Sequence, residues 1–179
     1  FPEVLLLHQS ERQGKAAAIN RALPIIEQGI VVFTDANAML NTASLQELVK
    51  NFQKTEMGAV AGEKKVTDSR NDGAVAVEGL YWKYESIVRQ WDAQIHSVPG
   101  AAGELFAVRS SLLAPLPTGT ICDDLYLSIQ VIRKGYRVGY ESNGYGSERY
   151  SYSIQKEWKR KLRIAAGSIQ LLSSIRLIS

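Results

Sequence analysis

Asp35 and Asn37 flank Ala36 directly after the apolar run Ile30-Val31-Val32-Phe33 and Thr34. A short buried strand that ends in two oxygen-bearing side chains presents both beyond its carboxyl end. There they can converge on a hard cation, which in turn can neutralise a diphosphate. Capping a turn or the following helix is the plainer use of Asp and Asn. A second acidic pair, Asp123-Asp124, opens the periodic stretch DDLYLSIQVIRKG. Acids at a helix start are favoured by the helix dipole. Adjacent carboxylates also repel, and one held in a cleft makes a usable general base.

Three further stretches carry groups of interest. Gly14 and Lys15 precede the helical pattern AAAIN, so free N–H groups and a full positive charge meet at a helix start, an arrangement that suits phosphate. A solvated lysine satisfies the same pattern, and the rest of a phosphate-binding loop is missing. Gly100-Ala101-Ala102-Gly103 sets two glycines before a short strand, either as a tight turn or as a place where a ligand approaches the backbone. Lys156, Lys159, Arg160, Lys161 and Arg163 form a basic run. It reads as a solvated helix face, with a phosphate group or an anionic lipid surface as the functional alternative.

Strand and helix patterns alternate around these groups. Val4–Leu7, Ile30–Thr34, Gly58–Val66, Leu105–Val108 and Tyr136–Tyr140 read as strands. Helical spacing appears from Gly14 through Leu23, and from a cap at Thr42 or Ser44 through Phe52. It recurs from Val75 to Val98, from Asp123 to Lys134, and from Ile154 onward. In the long helix Leu80, Tyr84, Ile87, Val88, Trp91 and Ile95 make the apolar stripe. This order predicts an α/β fold with a mostly parallel central sheet flanked by helices.

Composition sets the class. Hydrophobic residues are 45% and charged residues 22% of the 179, ordinary for a globular domain. The net charge of +3 fits an anionic ligand or a membrane surface, and no nucleic-acid partner is expected. One cysteine, Cys122, excludes an internal disulfide. No apolar run approaches the ~20 residues that span a bilayer. The opening at Phe1 and the ending within an apolar pattern lead us to expect an excerpt of a longer protein, with a sheet edge that favours self-association.

In order along the chain, RQGKAAAIN, VVFTDANAML, GAAGELFAVR, DDLYLSIQVIRKGYRVGYE and KRKLRIAAG together resemble a family 2 glycosyltransferase of the membrane-anchored bacterial type related to cellulose and hyaluronan synthases. The resemblance implies a GT-A (Rossmann-like) fold and inverting transfer of a sugar from a nucleoside diphosphate donor, usually UDP-linked. The carbohydrate or lipid-linked acceptor would contribute a hydroxyl. DAN falls at the family's D-x-D motif, so Asp35 and Asn37 would hold Mg2+ or Mn2+, with Asp35, Gly14 and Lys15 toward the donor. Asp124 matches the family's catalytic base, and Asp123 stands in place of its Glu. Asp123 and the stretch Gly100, Ala101, Ala102 and Gly103 would border the acceptor. Arg160 and Arg163 fall on the family's Q-x-x-R-W motif and would reach the diphosphate.

The sequence departs from the family pattern at Asn37, a neutral residue where Asp is usual. It departs again at Arg160 and Ile164, which replace the motif's Gln and Trp and make processive synthesis a weaker expectation. The resemblance also starts after the family's first βαβ segment, so the isolated chain is expected to bind donor weakly. Residues 1–179 would be a partial catalytic domain. Residues 154–179 would be a basic amphipathic segment leading toward membrane helices at the cytoplasmic face of a bacterial inner membrane, the excerpt itself being soluble. The rival readings are a nucleotidyltransferase and a non-catalytic nucleotide-binding or scaffold module.

Overall fold

The computed structural model describes residues 3–67, 73–100, 104–149 and 154–176. Its helices are α1 (Lys15–Ala22), α2 (Ser44–Lys50), α3 (Gly73–Ile95), α4 (Asp123–Arg133) and α5 (Ile154–Arg176). Its strands are β1 (Ile30–Thr34), β2 (Met39–Leu40), β3 (Met57–Thr67), β4 (Leu105–Arg109) and β5 (Arg137–Arg149). The strands form one sheet in the order β1-β4-β3-β5-β2.

The α/β architecture follows the alternation of patterns, but the mostly parallel pairing does not hold among the described residues. Only β3 and β5 pair in parallel; β1–β4, β3–β4 and β2–β5 are antiparallel. Strands β1, β3 and β5 do run the same way. The reversed β4 lies between β1 and β3, and its composition carries no sign of its direction. Val4–Leu7, expected as a buried strand, joins no ladder, and Val4, Leu5 and Leu6 are exposed. Apolarity signals a demand for burial, but a strand also needs a partner edge.

Strand β4 shows why helices cover both faces of the sheet. Its residues Leu105, Phe106, Ala107 and Val108 are all buried, and successive side chains point to opposite faces. Phe106 and Val108 join Ala59 and Ala61 against Leu127 and Val131 of α4 and Ala16 and Ile19 of α1. Leu105 and Ala107 join Val60 against Leu48 of α2, Phe52 and Met57. The α4 layer comes so near the sheet that a Cβ on Gly58 would lie 2.7 Å from Val131 Cγ1 and 2.6 Å from Tyr136 Cβ.

Two local expectations are corrected. Neither Thr42 nor Ser44 caps α2: Ala43 occupies the cap position without a side-chain bond, while the buried Ser44 hydroxyl donates to Asn41 and to the Tyr145 carbonyl. The apolar stripe of α3 largely faces away from the core, with Tyr84, Ile87, Trp91 and Ile95 exposed.

Candidate active site

The carboxyl end of β1 delivers Asp35 into a turn closed by Ala38 N–H donating to the Asp35 carbonyl, 3.0 Å. The Asp35 carboxylate plays no part in that turn. It accepts from Lys15 Nζ at 2.9 Å, and the same ammonium lies 3.2 Å from Asp123 Oδ2. Lys15 is the first residue of α1 and follows Gly14, whose φ of 88° is the left-handed geometry that favours glycine. Asp123 is the first residue of α4. One strand end and two helix starts thus bring together residues separated by long stretches of chain. Burial by itself would lower the Lys15 ammonium; the bond to Asp35 and the charges of Asp123 and Asp35 outweigh it and hold the group above its ordinary value.

Asp124, the next residue along α4, is half-buried like Asp123. Neither aspartate occupies the cap position of α4, which belongs to Cys122 and has no side-chain cap bond. Asp124 Oδ1 accepts from Leu125 N–H at 2.8 Å. Burial pushes the Asp124 carboxyl above the usual range, the Leu125 N–H opposes it, and the charge of Asp123 adds to it. A carboxylate that is desolvated and crowded by a like charge is a better proton acceptor than one in water. Gly100, with φ of 82°, lies against the same turn of α4: a Cβ there would be 3.4 Å from Leu125 Cδ1. Ala101, Ala102 and Gly103 lie outside the described residues.

Helix α5 seats on the loop that leads into Asp123. Gln170 Nε2 donates to the Gly119 carbonyl at 3.0 Å, and its Oε1 accepts from Ile121 N–H at 3.1 Å. Gly167 admits Cys122 where any side chain would collide with Sγ. Burial raises the Cys122 thiol, Asp124 adds to this, and Arg163 opposes it, so the Arg163 charge reaches this corner. Lys159, Lys161 and Arg163 are exposed and Arg160 is half-buried.

Asn37 is exposed in the turn after Asp35. Among the described residues no group of three or more His, Cys, Asp or Glu side chains could hold a metal alone. The Asp35 and Asp123 carboxylates nevertheless converge on one cation already, the Lys15 ammonium, so the locus suits a hard positive ion whose remaining ligands come from a bound anion.

Sequence reasoning passed over Lys64 and Glu104. Their side chains form an enclosed ion pair, 7% and 13% exposed, across β3 and the start of β4. The Glu104 carbonyl accepts from Thr34 Oγ1 at 3.1 Å, which puts the pair beside the Asp35 turn. The available signal was a lone acid between Gly103 and the buried run Leu105–Val108. A cavity of about 960 Å³, lined by Leu23, Ile30, Arg109 and Ser110 among others, opens at the amino end of β1, away from Asp35.

The mixed α/β fold, one sheet with helices on both faces, is similar to that of GT-A glycosyltransferases. A mannosyltransferase from Pyrobaculum calidifontis, solved in complex with GDP-Man and Mn2+, matches 96% of this chain and 46% of its own, with a TM-score of 0.77 and 26% identity. Glucosyl-3-phosphoglycerate synthase from Mycobacterium tuberculosis, solved with Mn2+ and UDP-glucose, is alike in fold: TM-score 0.59, 18% identity, 94% of this chain and 56% of that one. The chain belongs to the glycosyltransferase-like family 2, whose family model matches residues 1–163. The poly-beta-1,6-N-acetyl-D-glucosamine synthase of Staphylococcus aureus is 21% identical over 177 residues, covering 95% of this chain and 42% of the synthase. The chain therefore spans less than half the length of the curated relatives it matches.

Proposed function

We propose that this domain transfers a sugar from a nucleoside diphosphate donor, UDP-linked, to an acceptor hydroxyl with inversion at the anomeric carbon. The observation that carries this is the meeting of Lys15, Asp35 and Asp123 at the carboxyl edge of the sheet, with the enclosed Asp124 beside them. Relatives solved with sugar nucleotides and Mn2+ support it.

In this reading Asp35, with Asn37, holds Mg2+ or Mn2+ at the donor diphosphate. Such an ion supplies Lewis-acid stabilisation of the leaving group's growing negative charge. Lys15 and the N–H groups at the start of α1 face the same diphosphate, and Arg160 and Arg163 approach it from α5. Gly100, the segment after it and Asp123 border the acceptor. Asp124 accepts the proton of the acceptor hydroxyl as its oxygen bonds to the anomeric carbon. The bond from that carbon to the diphosphate oxygen breaks, and the electron pair leaves with the diphosphate.

No described helix is long and apolar enough to cross a membrane. Helix α5 does expose Trp158, Leu162, Ile169 and Leu172 on the element that carries the exposed Lys159, Lys161 and Arg163. We take it to lie against an anionic lipid surface, on the cytoplasmic side of a bacterial membrane, with polysaccharide synthesis as the setting. The synthase relative supports that setting.

Calorimetric titration of UDP with and without Mn2+ tests the donor half of the proposal. Metal-dependent binding that disappears in Asp35→Ala is expected. Binding of UDP without transfer to any acceptor by the full-length protein would turn the domain into a nucleotide-binding module. Silence in both titrations, in the full-length protein as well, would refute the donor assignment.

A further inference from the structure

We propose that Asp123 is the positioning residue for Lys15: when Asp35 takes up the donor's cation, the ammonium lets go of Asp35, keeps Asp123, and is held facing the diphosphate. This rests on the donor reading above and assigns to Asp123 a role other than contact with the acceptor.

The geometry separates the two carboxylates that share Lys15. Asp35 is the nearer partner, 2.9 Å against 3.2 Å, and the more open one, 37% exposed against 14%. A cation arriving from solvent reaches Asp35 first. A divalent ion on that carboxylate repels an ammonium bonded to the same group, so the contact to Asp35 is the one that breaks. Asp123 sits in the first turn of a helix anchored to the sheet by Leu127 and Val131. It stays in place when Asp35 changes partner. Lys15 is 45% exposed, and without that second carboxylate its long side chain would turn out into water. The ordinary alternative is a surface ion pair of little consequence. What sets this one apart is an ammonium shared by carboxylates from two other elements, each placed by the fold itself.

The test compares the wild type with Lys15→Met, Asp123→Asn and the double variant. Mn2+ alone is followed through its free-ion spin-resonance signal, and UDP at saturating Mn2+ by calorimetry. Lys15→Met should tighten Mn2+ alone by about two- to fivefold, the size of a partly exposed ion pair. The same substitution should weaken UDP by about tenfold or more, the size of a charged hydrogen bond.

Asp123→Asn gives the decisive sign. Removing a negative charge beside an anion site should tighten the anion if the field is all that matters. If Asp123 places the lysine, UDP binds more weakly in Asp123→Asn, and that loss vanishes when Lys15 is already Met. Tighter UDP binding in Asp123→Asn, or an equal loss in both backgrounds, would overturn the proposal. So would unchanged or weaker Mn2+ binding in Lys15→Met. Should the wild type bind Mn2+ but no UDP while Lys15→Met tightens Mn2+, the donor reading falls and the competition at Asp35 stands.

Discussion

Two cations at opposite ends of the β1–β4 ladder show what separates a fastener from a working group. Arg109, paired with Ile30, spends its guanidinium on the main chain: Nε donates to Met57 O at 2.8 Å, and one terminal nitrogen donates to Phe52 O at 2.9 Å and Lys54 O at 3.3 Å. Its Cζ lies over the Phe52 ring, 5.4 Å from the ring centre. Lys15, at the Asp35 end, meets two carboxylates on two other elements. Main-chain carbonyls are fixed in place by the fold, so Arg109 is bound to a fixed task. In the proposed site the more open Asp35 carboxylate can exchange the ammonium for a metal ion, so Lys15 can leave Asp35 while Asp123 keeps it. The cavity lies at the Arg109 end, so volume alone does not locate the chemistry.

The comparison is broken most severely by removing Asp124, the proposed base. Asp124→Asn in the full-length enzyme should lower sugar transfer by about 10²- to 10⁴-fold, the usual contribution of a positioned general base, while UDP binding persists. Transfer at the wild-type rate would remove Asp124 from the mechanism. Next in size is Arg109→Met. It takes the guanidinium donors away from the Met57 and Phe52 carbonyls, Lys54 O keeping the Met57 N–H, and should destabilise the fold by about 2–4 kcal/mol in denaturant titration, with UDP affinity unaltered. A loss of UDP affinity out of proportion to stability would mean that the two ends of the ladder are coupled.

How far the sequence could be read follows the same divide. The run Ile30–Thr34 is a strand as its apolarity predicts, and Asp35 and Asp123 are where the spacing puts them, at a strand end and a helix start. Those features depend on neighbouring residues. That one lysine joins both acids depends on a sheet order in which β4 and β3 lie between β1 and β5, and no local pattern encodes it. The far half of β5 was equally hidden. Glu141 to Arg149 has no apolar alternation and is strand because it pairs with Gly62–Thr67, far earlier in the chain. The long loop and helix between them leave no trace of that register. Lys64 and Glu104 escaped notice for the same reason, since an enclosed ion pair is invisible until its two strands are adjacent.

Lys15→Met sharpens the comparison from the other side. A partly exposed pair contributes ~0–1 kcal/mol, so this variant should melt within a few degrees of the wild type while its metal and nucleotide affinities move in opposite directions. A large drop in stability would make Lys15 a fastener after all, no different in kind from Arg109.

The smallest effect is expected in the stability of Asp124→Asn as pH changes. Burial raises the Asp124 carboxyl above its unfolded value, so the folded protein holds that proton more tightly than the unfolded chain does. The stabilisation is complete below the unfolded value and is lost as pH rises through the folded one. Asparagine does not titrate, and its amide oxygen can still accept from Leu125 N–H. Thermal melts across a pH series should therefore show the variant matching the wild type in acid and exceeding it modestly near neutrality. The gap should open across the window just above the ordinary carboxylate range. A group that costs the fold stability near neutrality is held there by something other than stability, as the proposed base role requires. A gap of the opposite sign would mean that the start of α4 welcomes the charge, and Asp124 would then be a helix-dipole residue rather than a base under tension.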